Sequence, residues 1–253
     1  MKDLISTVKE VKEIAQNTYL LTVTLDDSVG EIKGGQFLNI STGDGARLLR
    51  RPLGIIKAEG RDITVCFQIK GEGTVALSKA EKGDRLSVLL PLGNGFEIPQ
   101  SAKKVVVLGG GVGIFPLVPV VQGNKKVNFY TYLGFRSKAF ACLLDEFSSS
   151  KKLTVVTDDG SLGERDNAVN AYIKESGSIN ADLIIACGPP VMLSSLKNTL
   201  KEKGIKTPCL VSLEERMGCG IGACLVCVCG KSDGGNARVC KDGPVFDIDD
   251  VEI

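Results

Sequence analysis

The chain has 253 residues, 43% of them hydrophobic, which is enough for a sizeable core in one large or two compact domains. Its 31 Lys and Arg balance 30 Asp and Glu, and a net charge of +1 leaves no footprint for nucleic acid or an anionic membrane. There is no His, which excludes Ser–His and Cys–His nucleophiles, Rieske ligation and the usual general base, and no apolar run is long enough to cross a bilayer.

A chain so poor in acid–base residues is expected to leave its chemistry to cofactors, with no catalytic side chain of its own. The start Met1-Lys2-Asp3-Leu4-Ile5 lacks the apolar stretch of a signal peptide. Nine Cys, an odd count, then point to a reducing compartment, the cytoplasm, rather than to a disulfide framework.

Residues 1–101 are expected to be all-β. Thr18–Leu25 and Ile63–Ile69 are strand-like. In the second, Ile63, Val65, Phe67 and Ile69 alternate with polar or small residues, the period of a half-buried strand. Turn signals fall at Gly34-Gly35, Ser41–Gly45, Gly71–Gly73 and Gly83-Asp84, and this spacing predicts a small antiparallel barrel. Two features of this segment suit phosphate binding. Arg50-Arg51-Pro52-Leu53-Gly54 supplies charge, and Gly71-Glu72-Gly73-Thr74 supplies N–H groups and a hydroxyl that can cradle a pyrophosphate. Alone, an Arg-Pro pair is as readily an edge-strand start with a solvated Arg.

Residues 102–210 read differently. Val105–Leu108 is a continuous apolar run, as in a buried parallel strand. Further runs at Val127–Leu133, Leu153–Thr157 and Leu183–Ala186 alternate with helix-like stretches at Lys138–Phe147 and Val191–Lys203. That alternation predicts a doubly wound α/β domain. Gly109-Gly110-Gly111-Val112-Gly113-Ile114-Phe115-Pro116 follows the first strand and suits a dinucleotide phosphate at a helix start. A tight structural turn is the competing reading, since the spacing is not G-x-G-x-x-G and Gly134-Phe135-Arg136-Ser137 stands where an acidic ribose ligand is usual. Cys187-Gly188-Pro189-Pro190 ends the strand Leu183–Ala186, the place where open α/β sheets bind ligands. A Cys there can face a nicotinamide, or simply be buried before a stiff turn.

Residues 211–253 are rich in Cys and Gly and too few for a core of their own. Cys219, Cys224 and Cys227 follow a C-x4-C-x2-C spacing, and twelve residues separate them from Cys240. This is the plant-type spacing of a [2Fe–2S] cluster. Zinc on four thiolates competes, although zinc ribbons usually show two C-x2-C pairs on separate knuckles. The other cysteines, Cys66, Cys142, Cys209 and Cys229, are expected to be small core residues.

Together, and in order along essentially the whole chain, these segments resemble the ferredoxin–NADP reductase superfamily. Arg51-Pro52-Leu53-Gly54 resembles its flavin motif, Gly73-Thr74 its pyrophosphate pair, and Gly109–Pro116 its nucleotide loop. Asp158-Asp159-Gly160-Ser161 and Cys187-Gly188-Pro189 resemble its later motifs. Glu214–Cys224, with Pro91-Leu92-Gly93-Asn94-Gly95-Phe96, is similar to the electron-transfer subunits of class 1B dihydroorotate dehydrogenases.

The resemblance implies FAD at Arg51, Pro52, Leu53, Gly54, Cys66, Phe67, Gln68, Gly73 and Thr74. It implies NAD, as substrate, at Gly110, Gly111, Gly113, Cys187, Gly188 and Pro189, and a [2Fe–2S] cluster on Cys219, Cys224, Cys227 and Cys240. It further implies an FMN-binding partner that oxidises dihydroorotate in pyrimidine biosynthesis, in an α2β2 heterotetramer, with neither nucleic acid nor membrane as a partner. Gly54 departs from the family's usual Ser. A reductase of the same build serving a hydrogenase, a sulfite reductase or a transhydrogenase-type complex is the alternative.

Overall fold

Alternating apolar and polar residues build the first half into a barrel. In the computed structural model, which describes residues 1–43 and 47–253, the strands are β1 (Lys2–Ala15), β2 (Thr18–Leu25), β3 (Phe37–Ile40), β4 (Arg51–Glu59), β5 (Asp62–Gln68) and β6 (Arg85–Leu92). They close in the order β1-β2-β5-β4-β3-β6, each pairing antiparallel. Ile63, Val65 and Phe67 of β5 point inward beside Leu21, Val23, Leu38 and Ile40, as the period of two requires. Part of the expected turn at Ser41–Gly45 lies outside the described residues. Gly71–Gly73 is not a simple turn but the entry to helix α1 (Glu72–Ser78). The Thr74 hydroxyl accepts the N–H groups of Lys70 at 2.9 Å and Gly71 at 3.1 Å there, so it caps its own loop.

The second half forms a seven-stranded sheet from β7 (Lys104–Gly110), β8 (Asn128–Phe135), β9 (Lys152–Thr157), β10 (Glu164–Arg165), β11 (Leu183–Cys187), β12 (Cys209–Ser212) and, from the C-terminal segment, β15 (Val245–Asp247). The order is β10-β9-β8-β7-β11-β12-β15. All neighbours are parallel except the antiparallel pair β12–β15. From β7 the chain first builds outward on one side and then returns to build on the other. The switch point therefore lies between β7 and β11, where such sheets open a ligand crevice.

Helix α2 (Val118–Gly123) covers one face, while α3 (Ala168–Ile173), α4 (Ser176–Ile179) and α5 (Pro190–Glu202) cover the other. Along α5, Leu193, Leu196 and Leu200 form the buried stripe. Among the described residues no helix is long and apolar enough to cross a membrane.

Two helical expectations are corrected. Lys138–Phe147 is not one helix but two 3-10 turns, Lys138–Phe140 and Leu144–Phe147. Leu143, at φ 54°, breaks the path between them. After the glycine loop the chain runs as 3-10 helix over Gly111–Leu117 before α2, and Pro116 within it has no N–H to donate to an α-helical ladder.

The C-terminal segment is joined to both halves. Its hairpin, β13 (Val228–Gly230) with β14 (Asn236–Arg238), leads to β15 at the sheet edge. Asn94, just after the barrel, donates its N–H to Gly243 O at 2.7 Å and its amide to Asp242 O at 3.0 Å. Phe37 and Leu92 of the barrel pack with Cys227, Val239 and Cys240 in one small core. Between barrel and sheet a larger core mixes Ile56 and Cys66 with Val105, Val107 and Phe115.

Candidate functional site

The cysteine loop turns its backbone N–H groups inward. Cys219 Sγ accepts from Ile221 at 3.4 Å, Ala223 at 3.3 Å and Cys224 at 3.4 Å. Cys224 Sγ accepts from Cys219 at 3.4 Å, Cys227 Sγ from Cys240 at 3.4 Å, and Cys240 Sγ from Gly222 at 3.1 Å. Donors aimed at sulfur stabilise the thiolate. Burial by itself raises the Cys219 thiol, yet the N–H groups of Ile221, Cys224 and Ala223 bring it down to about 6. Burial, then the neighbouring Cys227, push Cys240 up to about 12.

Hydrogen bonds link the thiols in two pairs: Cys219 and Cys224 each accept the other's N–H, and Cys227 accepts that of Cys240. Two pairs suit two irons with two thiolates each, whereas one zinc draws four thiolates to a common centre. Gly220 (φ 73°) and Gly222 (φ 83°) let the loop turn this tightly. Cys224 is exposed, rimmed by the exposed Ile221, Leu225 and Val226, while Cys227 and Cys240 are buried.

The flavin-motif residues meet across the barrel. The Arg51 side chain lies over Gly73, where an added Cβ would come within 2.5 Å of the guanidinium carbon. Arg51 also donates to Leu49 O. On β4, Leu53 turns into the barrel core, while Pro52 and Gly54 are half-buried. A Cβ at Gly54 would meet only Pro116, at 3.9 Å, so the flavin motif faces the nucleotide loop directly. The side chains of Cys66 and Phe67 are packed away. Cys66 lies beside Cys142, with its thiol pushed far up by burial, and Phe67 stacks on Tyr19 with ring centroids 5.9 Å apart. Gln68 is half-buried at the strand end.

The two nucleotide motifs also touch. A Cβ at Gly113 would collide with the Cys187 carbonyl and come within 2.6 Å of Gly188 N. One at Gly110 would meet Met192 Sδ at 2.5 Å and Pro189 at 3.0 Å. Gly111 (φ 54°) faces open space. Burial pushes the Cys187 thiol up to about 12 despite a hydrogen bond with Ser212 that lowers it, so it stays a neutral thiol rather than a nucleophile. Asp159 accepts from Ser161 N–H at 2.9 Å, and Ser161 Oγ accepts from Lys138 N–H at 2.8 Å, tying that motif to the end of β8. Arg136 is exposed beside it.

Sequence reasoning missed Met192, which walls Gly110 and Gly188 from α5, and Asn39, which reaches the cysteine loop from β3. Met192 had no signal beyond a helical apolar position. Asn39 sat in Phe37-Leu38-Asn39-Ile40 as one polar residue of an alternating strand.

Residues 214–252 match the family model described as the iron-sulfur cluster binding domain of dihydroorotate dehydrogenase B. A protein of Streptococcus mutans serotype c named dihydroorotate dehydrogenase B (NAD(+)), electron transfer subunit, is 37% identical over 97% of this chain and 96% of its own. A protein of Fusobacterium nucleatum with the same name is 38% identical over 98% of this chain and 97% of its own. Among solved structures, that of an NADH-dependent reduced ferredoxin-NADP oxidoreductase superposes with a TM-score of 0.86 at 30% identity, covering 98% of this chain and 89% of that one. Phthalate dioxygenase reductase shares the fold, with a TM-score of 0.69 at 16% identity and 94% of both chains covered.

Proposed function

The chain belongs to the family of electron-transfer subunits of dihydroorotate dehydrogenase B, and from that premise we propose that it passes electrons between the FMN of a dihydroorotate-oxidising partner and NAD. It is an electron-transfer protein of the ferredoxin-reductase fold, with FAD and a [2Fe–2S] cluster as its cofactors and NAD as its substrate. The observation that carries the proposal is the cysteine loop, in which Cys219 and Cys224 exchange N–H···S bonds and Cys240 N–H donates to Cys227 Sγ, seated through Phe37 and Leu92 on the barrel that carries the flavin motif.

Bound flavin exchanges a hydride with nicotinamide and single electrons with the cluster, and so joins a two-electron carrier to a one-electron one. The chain's own residues hold and orient. Arg51 and the N–H groups at Gly73 and Thr74 would hold the FAD pyrophosphate by charge-assisted bonds. Pro52 and Gly54 would line the flavin's edge, while Leu53, Cys66, Phe67 and Gln68 would meet it mainly through backbone, since the Leu53, Cys66 and Phe67 side chains are buried. Gly111, facing open space, would admit the dinucleotide phosphates; Gly110 and Gly113 let the loop close on Cys187, Gly188 and Pro189, which would border the nicotinamide. No residue acts as acid or base, in keeping with a chain without His.

The partner binds FMN and carries the proton abstraction from dihydroorotate. We take the assembly to be an α2β2 heterotetramer docked at the exposed Cys224 rim. Three parts divide the labour: residues 1–101 for FAD, 102–210 for NAD and 211–253 for the cluster. The nine free thiols favour the reducing cytoplasm. A different redox partner is the second reading, favoured by the 0.86 superposition on an NADH-dependent reduced ferredoxin-NADP oxidoreductase.

A tagged chain recovered from its source cells tests the proposal. Co-purification of an FMN protein with dihydroorotate-dependent NAD reduction supports it. A coloured chain that oxidises NADH with artificial acceptors, but brings no such activity, removes the dihydroorotate partner.

A further inference from the structure

Asn39 is a buried amide between the flavin strand and the cluster loop. It is 1% exposed and sits on β3, where its register partner is Pro52 of β4 on one side and Leu89 of β6 on the other. Leu38 and Ile40 point into the barrel, so Asn39 and Phe37 point out of it by strand alternation. That outer face meets the C-terminal segment. Asn39 Nδ2 donates to Cys219 O at 3.4 Å, and the same nitrogen occupies the space where a Cβ on Gly220 would stand. Its Oδ1 is buried and has no hydrogen-bond partner among the described residues.

A buried, half-satisfied amide is costly, and an apolar side chain of the same shape would avoid that cost. The orientation is fixed, because exchanging oxygen and nitrogen would set Oδ1 against the Cys219 carbonyl. The amide therefore holds one thing, the peptide between Cys219 and Gly220. That peptide begins the turn whose following N–H groups, at Ile221, Ala223 and Cys224, all point at Cys219 Sγ. Moving it would swing those donors away from the sulfur.

We infer that Asn39 is a positioning residue for the cluster: from the strand beside the flavin motif it clamps the Cys219–Gly220 turn, keeping the N–H groups of that turn on Cys219 and the cluster in register with the flavin. This rests on the reading of the four cysteines as [2Fe–2S] ligands. It assigns to the barrel a direct hold on the cluster loop, beyond the packing of Phe37 and Leu92.

The test uses the full chain with its bound cofactors, as wild type, Asn39→Leu and Asn39→Ala. The readouts are iron release to a chelator, the electron paramagnetic resonance spectrum of the reduced cluster, FAD content and thermal unfolding. The expected result is iron release about fivefold faster in both variants, the equivalent of one lost hydrogen bond. The resonance line shape should change, with FAD content as in wild type. Asn39→Leu should unfold no earlier than wild type, since it removes the unpartnered oxygen, and a merely structural amide would not combine that with a looser cluster. Should Asn39→Leu prove too bulky against Gly220, Asn39→Ala carries the comparison. Release rates and spectra identical to wild type in the folded variants would overturn the inference alone. A wild-type chain with no [2Fe–2S] resonance would overturn both it and the reading it rests on.

Discussion

The guanidinium of Arg51 fills the space that a side chain at residue 73 would need. Two segments more than twenty residues apart, a strand and a helix start, are thus built round one charge that phosphate can share. Gly73→Ala is expected to push Arg51 aside and remove a charge-assisted bond of about 1.5–3 kcal/mol, roughly ten- to a hundredfold in FAD affinity. FAD content after gel filtration measures this. Iron content should not change.

Cys224 is the exposed member of the four proposed ligands and exchanges N–H···S bonds with Cys219. Changes merely adjacent to metal ligands cost about 10- to 100-fold in metal affinity, and Cys224→Ala is expected to exceed that. The variant should lose its iron and its electron transfer to the partner. It should keep FAD and the oxidation of NADH by a flavin-directed acceptor. Full cluster content in this variant would remove the ligand assignment.

Gly113 packs on the peptide joining Cys187 to Gly188. An Ala there must separate the two nucleotide motifs, and misplacement by about 1 Å can cost on the order of a hundredfold in rate. Gly113→Ala should depress NADH oxidation by roughly that factor with FAD retained. Steady-state kinetics with an artificial acceptor read the effect.

Tyr132 is fully buried and donates its hydroxyl to Glu175 Oε2 at 2.6 Å, while Lys152 holds Oε1 at 2.6 Å. The lysine first, then the tyrosine, hold the Glu175 carboxyl below its ordinary 4.5. A carboxyl with a lowered folded value adds stability that is present above 4.5 and is lost as pH falls through the folded value. Glu175→Gln should lower stability at neutral pH by about 1 kcal/mol and flatten the acid limb of the stability profile. Thermal melts from neutral pH down through that region test both parts.

Gly54 stands where relatives are expected to carry Ser, and a Cβ there would touch only Pro116 at 3.9 Å. The backbone is an ordinary strand paired with Phe37. Gly54→Ser is expected to fold normally and keep FAD, with a shift in flavin potential as the new hydroxyl enters the flavin's edge. Loss of FAD would show that the site has been reshaped around glycine.

Much of the fold was legible because local chemistry dictated it. The period of two along Ile63–Ile69 required a half-buried strand, and the unbroken Val105–Leu108 required one buried on both faces. The spacing of the four cysteines was equally direct to read, since it is a matter of chain order alone. Lys138–Phe147 was misread because helical composition says nothing of a left-handed residue such as Leu143, at φ 54°, between two short turns.

What the sequence alone determined is therefore what short segments decide: barrel, parallel sheet, glycine loops and four thiols at cluster spacing. That Cys240 comes back to Cys227 and Gly222, that Arg51 closes on Gly73, that Gly113 locks onto Cys187 and that Asn39 reaches Cys219 are contacts between segments well separated in the chain. β15 joins the sheet edge beside β12 for the same kind of reason. These contacts depend on how closed sheets and shared cores bring distant backbone together, and only the tertiary structure decided them.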